Sequence, residues 1–125
     1  MTTNNGKVSV IIRAKNEERW VGHCIQSVLE HIDTPEIILI NNHSTDKTIE
    51  ITRSFQKDPD IESTGFYTDI KILNIDNYSP GSALNLGIKE CSHQNVLIIS
   101  IIHIEYLHKN YYNFWHFFIF AFDSF

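Results

Sequence analysis

Chemistry-bearing side chains in this 125-residue sequence gather in a few short strings. The first is RAKNEE, Arg13–Glu18, which sets two cations, an amide and two carboxylates side by side. The second is NNHSTD, Asn41–Asp46, with two amides, an imidazole, two hydroxyls and a carboxylate. An amide side chain offers both a donor and an acceptor, and a carboxylate accepts from hydroxyls, so both strings suit the binding of a polar ligand. Asn16 and Glu17 have a second reading, as cap and first-turn acid of a helix. Ser44, Thr45 and Asp46 likewise read as a helix cap that holds alongside any ligand role. His43 has no carboxylate beside it in sequence and reads as a turn residue rather than a catalyst. A third string, GSALNLG at Gly81–Gly87, has neither the glycine spacing of a dinucleotide fingerprint nor the lysine-serine ending of a P-loop, so both of those modes are excluded. Further on, His103 and Glu105 alternate onto one face of an extended segment and could imitate a metal pair, but a chance arrangement is the preferred reading. His108 and His116 add no convincing ligand geometry. No catalytic residue and no metal ligand is assigned.

These strings need elements to position them. Lys7–Arg13 is short and rich in β-branched residues, which predicts a buried strand. A helix is predicted to start at Asn16, with Trp20, Cys24, Ile25, Val28 and Leu29 mostly buried on its inner face and Glu18, His23, Gln26 and Glu30 outside. Glu36–Ile40 predicts a second strand. A second helix runs to about Phe55, with Ile49, Thr52 and Phe55 inward. Lys57–Thr68 has no period and reads as a loop. A third strand at Asp69–Ile75 leads to Ser79, a serine cap followed by proline at the first turn, and to a helix over Pro80–Cys91. Asn95–Ser100 predicts a fourth strand. The alternation is that of an α/β fold, a mainly parallel sheet with crossover helices, whose ligands bind at the carboxyl ends of the strands. Arg13–Glu17 and Asn41–Asp46 are therefore expected side by side at one edge of the sheet.

Composition narrows the partners. Acidic residues outnumber basic ones by 15 to 10, scattered without a basic stripe, so no nucleic acid is expected as a partner. Cys24 and Cys91 lie far apart and read as reduced core thiols, which makes a cytoplasmic location the simpler expectation. No export signal is visible at the amino terminus. The apolar stretch Phe114–Phe122 is far short of the roughly 20 residues of a membrane-spanning helix, so no transmembrane helix is expected. Tyr106–Phe125 holds 10 of the 15 aromatic residues. That shift divides the chain into a domain at 1–105 and an aromatic-rich, aberrant tail at 106–125, read as an altered reading frame or a truncated gene product. An unpacked tail would offer an apolar patch for self-association. Packing as a strand on the sheet would favour a self-contained domain instead.

The strings VSVIIRAKNEERWVGHCIQSVLEH, EIILINNHSTDKTIEI and SPGSALNLGIKECSHQNVLIIS, in that order over about Val8–Ser100, resemble the opening blocks of family 2 glycosyltransferases of the GT-A type. The resemblance implies a domain that binds a nucleotide-diphosphate sugar donor for transfer of the sugar to a glycan, lipid or protein acceptor. It implies a donor site at Arg13, Lys15, Asn16 and Glu17, where Glu17 accepts from ribose and Arg13 or Lys15 faces the pyrophosphate. Asn41, Asn42 and Asp46 match the family's acidic turn, with asparagines in place of the acid pair, which weakens but does not abolish binding. Asn85 is carried over as a donor-site residue, against the competing reading of a polar surface position. Leu84 stands where the family often has arginine. The family implies a divalent cation, magnesium or manganese, held by an Asp-x-Asp-like motif after the fourth strand. Here that strand runs into Ser100, Ile101, Ile102, His103, Ile104 and Glu105 without an aspartate. Transfer by this chain alone is therefore expected to be weak or absent. The alternative is a non-catalytic interaction module that associates through its aromatic tail. A receiver-type signalling domain is disfavoured by RAKNEE and by the aspartate-free end of the fourth strand.

Overall fold

The computed structural model describes residues 6–56 and 68–101, together with the backbone of Phe117–Asp123. Five strands form one sheet in the order β3-β2-β1-β4-β5. They are β1 (Val8–Ala14), β2 (Glu36–Asn41), β3 (Ile70–Asn74), β4 (Asn95–Ile101) and β5 (Phe117–Asp123). The first four are mutually parallel, and β5 runs antiparallel to β4. Part of the aromatic segment therefore joins the sheet as a strand, with Ile101 paired to Phe117 and Asn95 to Asp123. His103, Glu105 and His108 lie outside the described residues, as do His116 and most of the expected loop at 57–68.

Parallel strands require crossovers, and α1 (Val21–His31), α2 (Thr48–Arg53) and α3 (Pro80–Glu90) supply them. The central strands β1 and β2 are covered on both faces, which explains their unbroken apolar runs. On one face, Val10, Ile12, Ile37 and Leu39 pack with Val21, Cys24, Ile25 and Val28 of α1, with Ile49 and Phe55 against them. On the other, Ile11, Ile38 and Ile40 pack with Ala83 of α3, joined by Ile75, Val96 and Ile98. Gly87 permits the close approach of α3: a Cβ there would come within 2.8 Å of Ile11.

Two helix starts differ from expectation. Helix α1 begins at Val21, not near Asn16, and the residue before it, Trp20, makes no side-chain cap. The Glu17 carbonyl instead accepts from the amides of Trp20 and Val21, at 2.9 and 2.8 Å, so a turn separates RAKNEE from the helix. Trp20 and Leu29 are only half-buried, while Cys24, Ile25 and Val28 are buried as expected. Helix α2 begins at Thr48; of the three expected caps only Asp46 serves its start, its Oδ1 accepting from the Thr48 amide at 2.9 Å. Helix α3 starts as its sequence dictates, with Ser79 and Ser82 in a reciprocal capping box and Pro80 at the first turn.

At the amino ends of the strands, a buried carboxylate ties three segments together. Glu36 Oε1 accepts from Ser9 Oγ at 3.1 Å and from the Ser92 amide at 2.9 Å, while Ser9 Oγ accepts from the His93 amide at 3.2 Å. Burial pushes the Glu36 carboxyl up, but the hydrogen bonds from Ser92 and Ser9, with the charge of Lys71, outweigh it and hold the group below the ordinary carboxylate range. A depressed carboxylate contributes stability that is complete above its unfolded pKa, about 4, and is lost as pH falls through the lower folded value. The melting temperature is thus expected to drop as pH is taken from neutral into that acid window. Glu36→Gln should melt lower at neutral pH and show a shallower acid slope; an unchanged slope would remove Glu36 from this role.

Candidate functional site

The chain leaves β1 for β2 and β3 on one side and then returns to place β4 on the other. This reversal makes the carboxyl ends of β1 and β4 the topological switch point, where two connections diverge and leave a crevice. A cleft of about 260 Å³ lies there, lined by Arg13, Ala14, Lys15, Glu17, Asn42, Tyr78, Ser100 and Ile101.

The two polar strings meet at this edge. Ala14 is paired with Asn41 in the sheet, and the Asn42 amide donates to the Ala14 carbonyl at 3.0 Å. Asn16 takes a left-handed conformation, φ 52°, which asparagine tolerates better than most residues. In that pose its amide donates to Ser44 Oγ at 3.0 Å, and its Oδ1 accepts from the Thr45 amide at 2.7 Å. The Glu17 amide donates to Thr48 Oγ1 at 2.7 Å. The Glu18 amide donates to Asp46 Oδ2 at 3.1 Å, and Glu18 Oε2 accepts from the Lys47 amide at 3.1 Å. Thr48 Oγ1 donates in turn to Asp46 Oδ1. Burial pushes the Asp46 carboxyl up, but the hydroxyl and amide of Thr48 and the Glu18 amide hold it below the usual range. These bonds fix the first turn against the second.

Of the residues singled out in the sequence, Arg13, Lys15, Glu17 and Asn42 line the cleft. Asn16 and Asp46 give their oxygens to the knot between the turns. Asn41 is buried, its Oδ1 accepting from the Ser44 amide at 3.1 Å and its Nδ2 donating to Asn74 Oδ1 at 2.9 Å. Asn85 is exposed on α3 and is not among the lining residues. His43, also left-handed at φ 51°, lies 3.6 Å from Asp76, a carboxylate remote in sequence. Both are largely exposed, and such pairs contribute little.

Tyr78 and Ser100 line the cleft without having been singled out as ligand residues. Tyr78 immediately precedes the α3 cap, and Ser100 occupies the carboxyl end of β4, where an acid was sought. Ser100 is paired with Arg13 in the sheet, and Arg13 Nη2 donates to Ser100 Oγ. Arg13 Nε is buried and has no partner among the described residues. Cys24, near Glu17, is no nucleophile: burial, reinforced by the Glu17 charge, pushes its thiol up to about 12. Both cysteines are free.

At phosphate sites, magnesium and manganese are held by one or two carboxylates together with substrate phosphates and waters, without cationic side chains against the ion. Among the described residues the cleft offers one carboxylate, Glu17, beside two cations, Arg13 and Lys15. No group of three or more histidine, cysteine, aspartate or glutamate side chains among the described residues could hold a metal ion. A single described carboxylate flanked by two cations is a poor fit for a divalent cation. Among the same residues, no helix is long and apolar enough to cross a membrane.

Known proteins resemble this chain in sequence or in fold. A curated relative, 4,4'-diaponeurosporenoate glycosyltransferase of Staphylococcus aureus (strain bovine RF122 / ET3-1), is 35 % identical over 52 residues, 42 % of this chain and 14 % of the relative. S. aureus TarS 1-349, solved in complex with UDP, superposes with a TM-score of 0.62 at 20 % identity, covering 75 % of this chain and 27 % of that one. The mannosyltransferase PcManGT from Pyrobaculum calidifontis, solved with GDP-Man and Mn2+, gives 0.61 at 18 % identity, covering 74 % and 26 %. Glucosyl-3-phosphoglycerate synthase from Mycobacterium tuberculosis, solved with Mn2+, uridine-diphosphate and glucosyl-3-phosphoglycerate, gives 0.57 at 20 % identity, covering 76 % and 33 %. The chain thus spans a third or less of the length of each of these proteins. The sequence profile described as glycosyl transferase family 2 matches residues 9–102, so well over half of the chain carries the family's pattern and the chain belongs to that family.

Proposed function

We propose that this chain binds the nucleoside diphosphate part of a sugar donor in the cleft between β1 and β4, and that by itself it transfers the sugar weakly or not at all. The observation that carries the reading is the convergence of Arg13, Lys15, Glu17 and Asn42 on the switch-point crevice. Of three similar structures one holds UDP, one GDP-Man with Mn2+ and one uridine-diphosphate with Mn2+ and glucosyl-3-phosphoglycerate, which supports a nucleotide ligand here. The chemistry matches its parts: Asn42 offers a donor and an acceptor to a base edge, Glu17 accepts from ribose hydroxyls, and the cations meet phosphate. Asn16 and Asp46 serve that site by holding the two turns in register, Asn41 braces the second turn through Ser44 and Asn74, and Asn85 on α3 is proposed as a donor contact from outside the described lining. The part of the aromatic segment described as β5 is paired into the sheet, which favours a self-contained domain over the association reading.

Titration calorimetry tests the proposal. UDP or GDP should give saturable binding, and the matching nucleoside should bind at least tenfold more weakly. Equal binding of nucleoside and nucleoside diphosphate would reject a site built around Arg13 and Lys15, and absence of binding by every nucleotide would reject the donor reading altogether.

A further inference from the structure

The described cleft has the wrong chemistry for a metal and the right chemistry for an anion. Arg13 is set by the sheet itself: it is the register partner of Ser100, and the Ser100 hydroxyl accepts from its Nη2. Ser100 is buried, so this acceptor is fixed. A guanidinium carries five N–H donors in a rigid fork. Among the described residues one of them is satisfied by Ser100, and Nε is buried with no partner. Arg13 lines the cleft, and a diphosphate presents several charged oxygens that match the remaining donors of its guanidinium. Lys15 adds a second positive charge on the same cleft, and Glu17 is the only carboxylate among its lining residues.

We propose that the cleft takes the diphosphate of its ligand directly on Arg13 and Lys15, without a divalent cation, and that Ser100 is a positioning residue that aims the Arg13 guanidinium. This rests on the donor-binding reading above. A serine at the end of β4 thus acts through arginine rather than through a metal.

The test is calorimetric titration of UDP, GDP and uridine into the chain with EDTA, then with magnesium or manganese. It compares the parent with Arg13→Gln, Lys15→Gln, Ser100→Ala and Ser100→Thr, each checked by thermal unfolding. The diphosphates should bind within about twofold equally with EDTA and with metal, and inorganic pyrophosphate should compete. Arg13→Gln should weaken UDP about tenfold or more while leaving uridine unchanged, a discrimination that loss of structure alone would not produce. Ser100→Ala should weaken UDP several-fold and Ser100→Thr should restore it. Lys15 is exposed, so Lys15→Gln keeps the question open to measurement if Arg13→Gln does not fold. Binding of UDP only with magnesium or manganese would overturn this inference and leave the donor reading standing. So would an unchanged ratio of UDP to uridine affinity in both charge variants. Failure of every nucleotide to bind under every condition would overturn the donor reading and this inference with it.

Discussion

Purified and folded, the chain is expected to hydrolyse or transfer a nucleotide-sugar donor at no more than about a hundredth of the rate of a fully equipped site, because removing even one well-placed electrostatic contributor costs roughly two to three orders of magnitude. Several contributors differ here. Leu84 stands on α3 where the family resemblance leads one to expect arginine, and Asn41 and Asn42 stand at the end of β2 where acids are expected. The acceptor hydroxyl must also lose a proton during attack, which calls for a positioned base. The one carboxylate among the described lining residues is Glu17, already assigned to ribose. Donor hydrolysis and transfer assays with magnesium or manganese measure this expectation. Metal-dependent multiple turnover would contradict it and would direct the search for ligands to His103 and Glu105.

The second large effect falls on a residue that touches no ligand. Thr48 is fully buried, and its hydroxyl accepts from the Glu17 amide while donating to Asp46. Its carbonyl also accepts from Thr52 Oγ1 at 2.8 Å. Thr48→Val preserves shape but leaves the Glu17 amide without its acceptor and Asp46 without one of its donors. Leaving a buried group unsatisfied costs about 1–3 kcal/mol; these groups are part-buried and Asp46 keeps the Thr48 and Glu18 amides, so a loss of about 1–2 kcal/mol is expected in denaturant unfolding. Because the Glu17 amide is the point where the first turn is fastened to the second, UDP affinity should fall as well. Thr48→Ser, which keeps the hydroxyl, should recover most of the affinity. A Thr48→Val variant with parent stability and parent affinity would show that the knot does not position the site.

What the sequence made legible depended on how local each signal was. The four parallel strands were expected within a residue or so of their observed ends, because β-branched runs such as VSVII and EIILI are decided by their own composition. The α3 start was equally readable, since Ser79 is a ready cap and Pro80 needs no amide partner at the first turn. The start of α1 was not. Asn16 is an ordinary cap by its neighbours, yet its oxygen goes to Thr45, 29 residues away, and the helix is displaced to Val21. Among the candidate site residues, Arg13, Lys15, Glu17 and Asn42 could be picked out by residue type at strand ends. Thr48, Tyr78 and Ser100 could not. Their parts follow from which strand lies beside which, as when the β1–β4 register sets Ser100 opposite Arg13. The strand at Phe117–Asp123 was missed for a further reason: a run so uniformly aromatic has no period to distinguish an edge strand from an irregular tail.

The central claim, that a nucleoside diphosphate sits in the crevice between β1 and β4, is most directly tested by following backbone amide resonances of the isotope-labelled chain during titration with UDP or GDP. The account predicts saturable shifts concentrated at 13–17, at Asn42 and at Ser100, with smaller changes at Tyr78 and in the 44–48 turn, and none at the opposite end of the sheet around Ser9, Glu36 and Ser92. Shifts concentrated at that opposite end, or spread evenly with no cluster at Arg13 and Ser100, would contradict it.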